Sequence, residues 1–260
     1  MRIALRVVLV LVLLALAKWA IDQRFENAVS AGFSHAQCNK VWAHRGRIGT
    51  DSENTLGSAI NVKEQAVAGL ELDLHYNVEQ QRFWVVHDDA DAQRDGNNDN
   101  LETFLDALAP ASIGLWLDTK KFGSLAPWEV AAAADHLASL LKKHPTFHPV
   151  YVESRNPFYL RLLKQRGIGT SYLISPNARH NALIFWLNVY WMKWSYSWGP
   201  FDSLSMDIGR YNEKVAEVFK GVPLLLSTVN DEASITRLAA KPEVAAILTD
   251  QQFYDVGRCR

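Results

Sequence analysis

Two hydrophobic patterns divide the chain. Val7 to Ala17 is an unbroken apolar run. With its flanks, Ile3 to Ile21, it approaches the roughly 20 residues that a bilayer-crossing helix needs. Arg2 and Arg6 precede it and Lys18 follows, so Arg6 and Lys18 can snorkel towards the two membrane surfaces. A core helix fits poorly, because no polar face interrupts the run. The segment reads as an uncleaved anchor within residues 1–24, with its arginine end cytoplasmic. The competing reading is a signal peptide cut at the Ala15/Ala17 pair, although that pair lies inside the apolar run. Both readings export the rest of the chain to the periplasmic or extracellular side.

Beyond Lys40 the pattern changes to short β-rich runs separated by helical stretches. The runs are Lys40–His44, Gly69–Leu74, Ile113–Asp118, Pro149–Glu153, Thr170–Ile174, Ser203–Asp207, Pro223–Thr228 and Ala245–Thr249. Between them, helical periodicity covers Thr55–Ala68, Trp128–Lys143, Pro157–Arg166, Asn212–Lys220 and Asp231–Ala240. Eight such repeats predict a (β/α)8 TIM barrel over residues 38–260, with helices on the outside. A doubly wound sheet would often carry a glycine-rich phosphate loop after its first strand, and none is present. No repeat or low-complexity linker marks a second domain.

Length and charge narrow the partners. A chain of 260 residues with 27 Lys+Arg against 28 Asp+Glu is near neutral, which argues against a broad nucleic-acid surface. The polar residues fall where a barrel places its chemistry, at the carboxyl ends of strands. The first strand ends in His44-Arg45-Gly46, the second in Glu71-Leu72-Asp73 and the third in Asp118-Thr119-Lys120. A two-residue spacing puts Glu71 and Asp73 on one face, and likewise Asp118 and Lys120. Buried charge of this kind is costly unless it is paired or metal-bound.

After Asp73 the alternation reads as a hairpin turning near Gln80. Pairs summing to about 160 would set His87 opposite Asp73. His44 and His87 would then flank Glu71, Asp73 and Asp118. Three facing carboxylates suit a hard cation, Ca²⁺ or Mg²⁺, more than zinc. Arg45 and Lys120 suit a phosphate oxygen, and two imidazoles supply acid and base near neutral pH. The deduced chemistry is metal-assisted cleavage of a phosphodiester.

Ala43-His44-Arg45-Gly46, Ser52-Glu53-Asn54-Thr55, Gly69-Leu70-Glu71-Leu72-Asp73 and Val85-Val86-His87-Asp88 resemble the signature series of the glycerophosphodiester phosphodiesterases. Leu117-Asp118-Thr119-Lys120, Thr228-Val229-Asn230 and Leu248-Thr249-Asp250 resemble that family's later landmarks, in order to the end of the barrel. The resemblance implies a TIM barrel with His44 and His87 as acid and base. It implies metal ligation by Glu71, Asp73 and Asp118, and phosphate binding by Arg45 and Lys120. It also implies attack by the substrate's own neighbouring hydroxyl, followed by water opening the cyclic phosphate.

This chain departs from that pattern in three places. Asp118 stands where the family usually has Glu, an arrangement that also resembles the sphingomyelinase D enzymes. Ser227 replaces a Trp, and little sequence separates Asp88 from the helix near Leu101, so the family's small inserted subdomain would be short or missing. The last two changes would open the site to a bulkier substrate. The substrate is thus expected to be a glycerophosphodiester or a lysophospholipid. The alternatives are a phospholipase D-like lyase on lysophospholipid or sphingolipid, and an inactive headgroup-binding barrel.

Several residues stand outside that core. Glu153 ends the fourth strand and can reach the site, whereas His75 lies just past the end of the second. Asn230 and Asp250 either orient substrate or cap helices. His35, His136, His144, His148 and His180 read as surface or capping residues. In Leu183–Phe201 the aromatics Trp186, Tyr190, Trp194 and Trp198 recur every four residues. That face serves equally as a core stripe or as a membrane-dipping one, and only Phe185 and Tyr196 point elsewhere. Finally, a closed barrel makes its first and last strands neighbours. Cys38, just before the first, and Cys259, one helix length after the last, are therefore expected to form a disulfide in an oxidising compartment.

Overall fold

The computed structural model describes residues 2–30, 37–88, 100–176, 181–199 and 201–259. The strands are β1 (Val41–Ala43), β2 (Gly69–Asn77), β3 (Arg82–Val85), β4 (Gly114–Thr119), β5 (Val150–Ser154), β6 (Thr170–Leu173), β7 (Ser203–Asp207), β8 (Leu224–Ser227) and β9 (Val244–Thr249). All except β3 pair in parallel with their neighbours. The sheet closes where β1 meets both β9 and β2, so the expected TIM barrel is the observed fold. β3 folds back antiparallel on β2, as the alternation predicts.

Most helices between the strands begin on side-chain caps, which satisfy backbone N–H groups left free at a helix start, whereas the one that follows Ala126 starts on Pro127 with no side-chain N-cap. They are α2 (Leu56–Glu64), α3 (Leu101–Leu108), α4 (Pro127–Lys143), α5 (Pro157–Lys164), α6 (Ala182–Trp198), α7 (Glu213–Val218) and α8 (Glu232–Ala239). Thr55, Asn100, Asn156, Asn181, Asn212 and Asp231 each accept a backbone N–H of the helix that follows.

Alternation on β2 shows how a buried strand serves two cores. Leu70, Leu72 and Leu74 join the outer core with Leu115, Leu117 and Val152, while Trp42, Trp116, Tyr151 and Leu225 form a separate inner cluster. The bottom of the barrel is closed by the Trp42 ring. It lies so close to β2 and β4 that a Cβ on Gly69 would come within 2.3 Å of it, and one on Gly114 within 2.6 Å. Any side chain at either position would displace the tryptophan.

Cys38 and Cys259 are joined, as expected, with Cα atoms 5.2 Å apart. Asn39 reinforces the junction: its N–H donates to the Gly257 carbonyl and its Oδ1 accepts the Cys259 N–H.

At the amino end, α1 (Arg2–Ser30) extends past the apolar run. Its last third packs on the barrel. Phe25 is buried edge-on to Tyr196 and Phe219, and Asp22 pairs with Lys193 at 2.9 Å. The apolar residues from Ile3 to Leu16 are exposed. On α6, the inward side chains are Phe185, Val189, Met192 and Tyr196. Of the aromatics outside the four-residue stripe, Phe185 and Tyr196 are buried and Trp191 is exposed. Trp186 and Trp198 of the stripe are exposed, so it is not the core face.

Candidate functional site

The site is built at the carboxyl ends of the strands, from β1 round to β5. Directly after β1, His44–Gly46 form one 3-10 turn with Arg45 at φ 53 and Gly46 at φ +63. Glycine meets the second left-handed position without the cost that a Cβ brings. The turn aims the Arg45 N–H at Glu71 Oε2, 2.8 Å away, and brings its Nε within 3.2 Å of Asp73. The Arg45 guanidinium is also held by Glu53 at 2.6 Å.

Glu71, Asp73 and Asp118 come together as expected, offering one oxygen each within 4.8 Å of one another. Glu71 and Asp73 are buried to within 2% of full enclosure. Lys120 Nζ bridges Asp73, at 2.8 Å, and Asp118. Asn54 completes the Asp73 environment. Its Nδ2 donates to Asp73 Oδ2 at 2.8 Å, and its Oδ1 accepts the Asp73 N–H.

These contacts separate the carboxylates electrostatically. Burial and the neighbouring Asp73 and Asp118 charges push Glu71 well above the usual carboxylate range. Burial acts the same way on Asp73, but Lys120, Asn54 and Arg45 outweigh it and hold that group low. Asp118 is raised by burial and Asp73 despite the opposing Lys120 charge. Lys120 is raised because Asp118 and Asp73 outweigh its own desolvation.

His44 sits beside this cluster, with Nε2 3.9 Å from Glu71 and Nδ1 2.8 Å from Asp250 Oδ1. An ionised carboxylate only accepts, so Nδ1 carries the proton and Nε2 is left to the site. Asp250 is itself fixed by Asn230, whose Nδ2 donates to Oδ2 at 2.7 Å while its Oδ1 accepts the Asp250 N–H. Asn230 and Asp250 are therefore partners of each other, and Asp250 is the partner of His44. The helix cap nearby is Asp231.

His87 is placed differently from the expectation. The hairpin pairs Leu74 with Val85 and Asn77 with Arg82, one residue out of the expected register. Val86 rather than His87 faces Asp73, donating its N–H to the Asp73 carbonyl at 3.0 Å. His87 lies just beyond, with Nδ1 2.8 Å from Asp88 and its carbonyl contacted by His75 Nε2 at 3.1 Å. It remains close enough for its charge to favour the ionised form of Asp118. His75 thus contacts the backbone of His87, and burial holds its own pKa low.

Of the remaining histidines, His136 stacks on Phe83 and His144 faces Asp106 at 3.3 Å, a carboxylate partner that the spacing did not suggest. His35, His180 and the stretch between Asp88 and Asn100 lie outside the described residues.

Glu153 is buried beside Asp118 in register on β5, and its Oε2 completes no hydrogen bond. Burial and the Asp118 charge push its carboxyl up to about 8, against weaker pulls from Ser205, Lys120 and Trp116. An unfolded glutamate titrates near 4.3, so between these values the native state holds a proton that the unfolded state has lost. Stability contributed by this group is therefore full below about pH 4.3 and lost as pH rises towards 8. Glu153→Gln is expected to raise Tm at pH 8–9 by several degrees and to change it little at pH 4–5. Thermal melts across that range check this, and equal shifts at both ends would contradict it.

Neither protein-family models nor curated protein sequences give a match to this chain. Solved structures do match the fold. A glycerophosphodiester phosphodiesterase from Parabacteroides distasonis superposes with a TM-score of 0.61 at 19% identity, covering 83% of this chain and 94% of that one. A phosphodiesterase from Oleispira antarctica, solved with the product sn-glycerol-3-phosphate, gives 0.63 at 20% identity, covering 82% and 93%. A glycerophosphodiester phosphodiesterase from Agrobacterium tumefaciens gives 0.52 at 13%, covering 83% and 96%. At these identities the likeness establishes the shared barrel.

Proposed function

We propose that this chain hydrolyses glycerophosphodiesters to an alcohol and glycerol 3-phosphate. The observation that carries the reading is His44, oriented by Asp250, facing a buried carboxylate cluster flanked by Arg45 and Lys120. The similar barrels solved as phosphodiesterases support it.

The cluster suits a hard divalent cation. Among the described residues the three carboxylates meet two fixed cations, Arg45 and Lys120, and Arg45 is shared with Glu53. Glu71 is left facing a backbone N–H and His44, and burial together with the Asp73 and Asp118 charges raises its pKa. Glu71, Asp73 and Asp118 would hold Ca²⁺ or Mg²⁺. Bound there, the cation supplies Lewis acidity to a phosphoryl oxygen and neutralises developing charge.

The chain's own groups do the rest. Arg45 and Lys120 draw the phosphate anion into the site. His44 Nε2 takes the proton of the substrate hydroxyl as its oxygen bonds to phosphorus, and Asp250 stabilises the resulting imidazolium. His87, at the more exposed rim, gives a proton to the departing alcohol as its P–O bond breaks. Water then opens the cyclic phosphate with the two histidine roles reversed.

The test is to incubate the full chain in nanodiscs with glycerophosphocholine and follow products by phosphorus NMR. Glycerol 3-phosphate is expected. A persistent cyclic phosphate would instead identify a lyase, and no turnover of any diester would identify a binding barrel. Chelation is expected to abolish turnover and lower Tm. A cation present at 100 times its dissociation constant contributes about 2.7 kcal/mol. Activity that survives exhaustive chelation would remove the metal from the mechanism.

The amino-terminal helix is assigned in the same proposal as a membrane anchor, with the barrel on the exported side. Its length, its apolar sequence and its exposed surface support this.

A further inference from the structure

Helix α6 carries more exposed apolar surface than the outer wall of a barrel requires. Outward from its buried face stand Leu183, Ile184, Leu187, Trp191 and Trp198, with Leu183 and Leu187 at 66% and 63% exposure. A contiguous apolar ridge of this kind marks a contact with lipid or protein. Its position relative to α1 identifies which.

The two helices run side by side in the same sense. Lys18 lies over the Tyr190 ring, Asp22 pairs with Lys193, and Phe25 packs on Tyr196. The last two pairs share an offset of 171 residues. Both helices rise about 1.5 Å per residue, so the same offset continues towards their amino ends. It sets Leu187 level with Leu16 and Leu183 level with Val12, inside the apolar run that is long enough to cross a bilayer. Trp191 then stands level with Ala20, beside Trp19 and Lys18, where aromatic and cationic side chains favour the membrane–water interface.

We infer that the first turns of α6 enter the lipid bilayer beside α1 and hold the mouth of the carboxylate site against the membrane surface. A cavity of about 700 Å³ links the two places: Asp118 and Lys120 line one part, and Phe158, Tyr172, Leu173 and Trp191 line another. Its charged part suits a phosphodiester and its apolar part suits an acyl chain. The substrate it fits is therefore an amphiphile with one chain, taken from the bilayer. This last step rests on the hydrolysis proposed above, whereas the insertion of α6 does not.

The experiment uses the full chain in phosphatidylcholine nanodiscs with an environment-sensitive fluorophore on Leu187→Cys. The same label on Glu64→Cys, exposed on α2, is the aqueous control. Label 187 is expected to emit further to the blue than label 64 and to be quenched by nitroxide-bearing lipid. Emission like that of the control, without quenching, overturns the insertion and leaves the ridge to a protein partner. In a second arm, Leu183→Glu/Leu187→Glu is expected to slow turnover of lysophosphatidylcholine in the discs by about tenfold or more, since carboxylates are strongly disfavoured in the hydrocarbon. Turnover of soluble glycerophosphocholine should be unchanged. Equal effects on the two substrates overturn delivery from the membrane. If neither diester is cleaved by the unmodified chain, the catalytic reading fails while the label still decides the insertion.

Discussion

Alanine at His44 is expected to lower turnover of a glycerophosphodiester by about 10²-fold or more, the usual range for removing a positioned acid or base. The reason is geometric. His44 Nδ1 is committed to Asp250, so Nε2 is the one ring atom left to exchange a proton beside Glu71. Asp250→Asn retains the shape but replaces an acceptor with an amide. It is expected to lose less than His44→Ala and to weaken the preference for the Nδ1–H tautomer. His87→Ala is expected to fall in the same range as His44→Ala. Its ring stands at the rim and supports no core packing, so unchanged circular dichroism should accompany the loss. Steady-state rates with matched spectra check all three. Near wild-type rates in both alanine variants would refute the acid/base assignment.

Replacing Cys38 and Cys259 with serine is expected to cost about 2–5 kcal/mol of stability while leaving turnover nearly unchanged. The bond closes a loop spanning a separation of 221 residues, nearly the whole barrel. In the chain-entropy account, that closure removes many conformations from the unfolded state, with a gain growing slowly with loop length. The bond precedes β1, at the opposite end of the barrel from the carboxylate cluster, so the site should not register its loss. Urea denaturation with and without reductant is the measurement. A midpoint unaffected by reduction or by the double substitution would show that the barrel closes without the bond.

Residue order alone determined the barrel and the residue types at its rim. Strand runs and helical periods are local properties, legible because side chains alternate on a strand and recur near every 3.6 residues on a helix. Glu71, Asp73, Asp118 and Lys120 were recognisable because charge at the end of an otherwise apolar strand needs a reason. Pairings across the barrel depended on closure. His44 meets Asp250 across 206 residues, and Asn54 reaches Asp73 only because the turn after β1 folds over β2. No local period encodes such contacts. The hairpin register shows the limit at short range: a shift of one residue reverses the face of every side chain, and alternation around a polar turn does not specify its centre to one residue. Likewise, a helix apolar on most of its circumference does not declare which face is buried. On α6 the choice fell to Phe185 and Tyr196 because α1 and the barrel wall enclose that side, leaving the tryptophans outward. The same docking decided that α1 is more than a tether, since Asp22 and Phe25 fasten it to a surface that exists only once the barrel has formed.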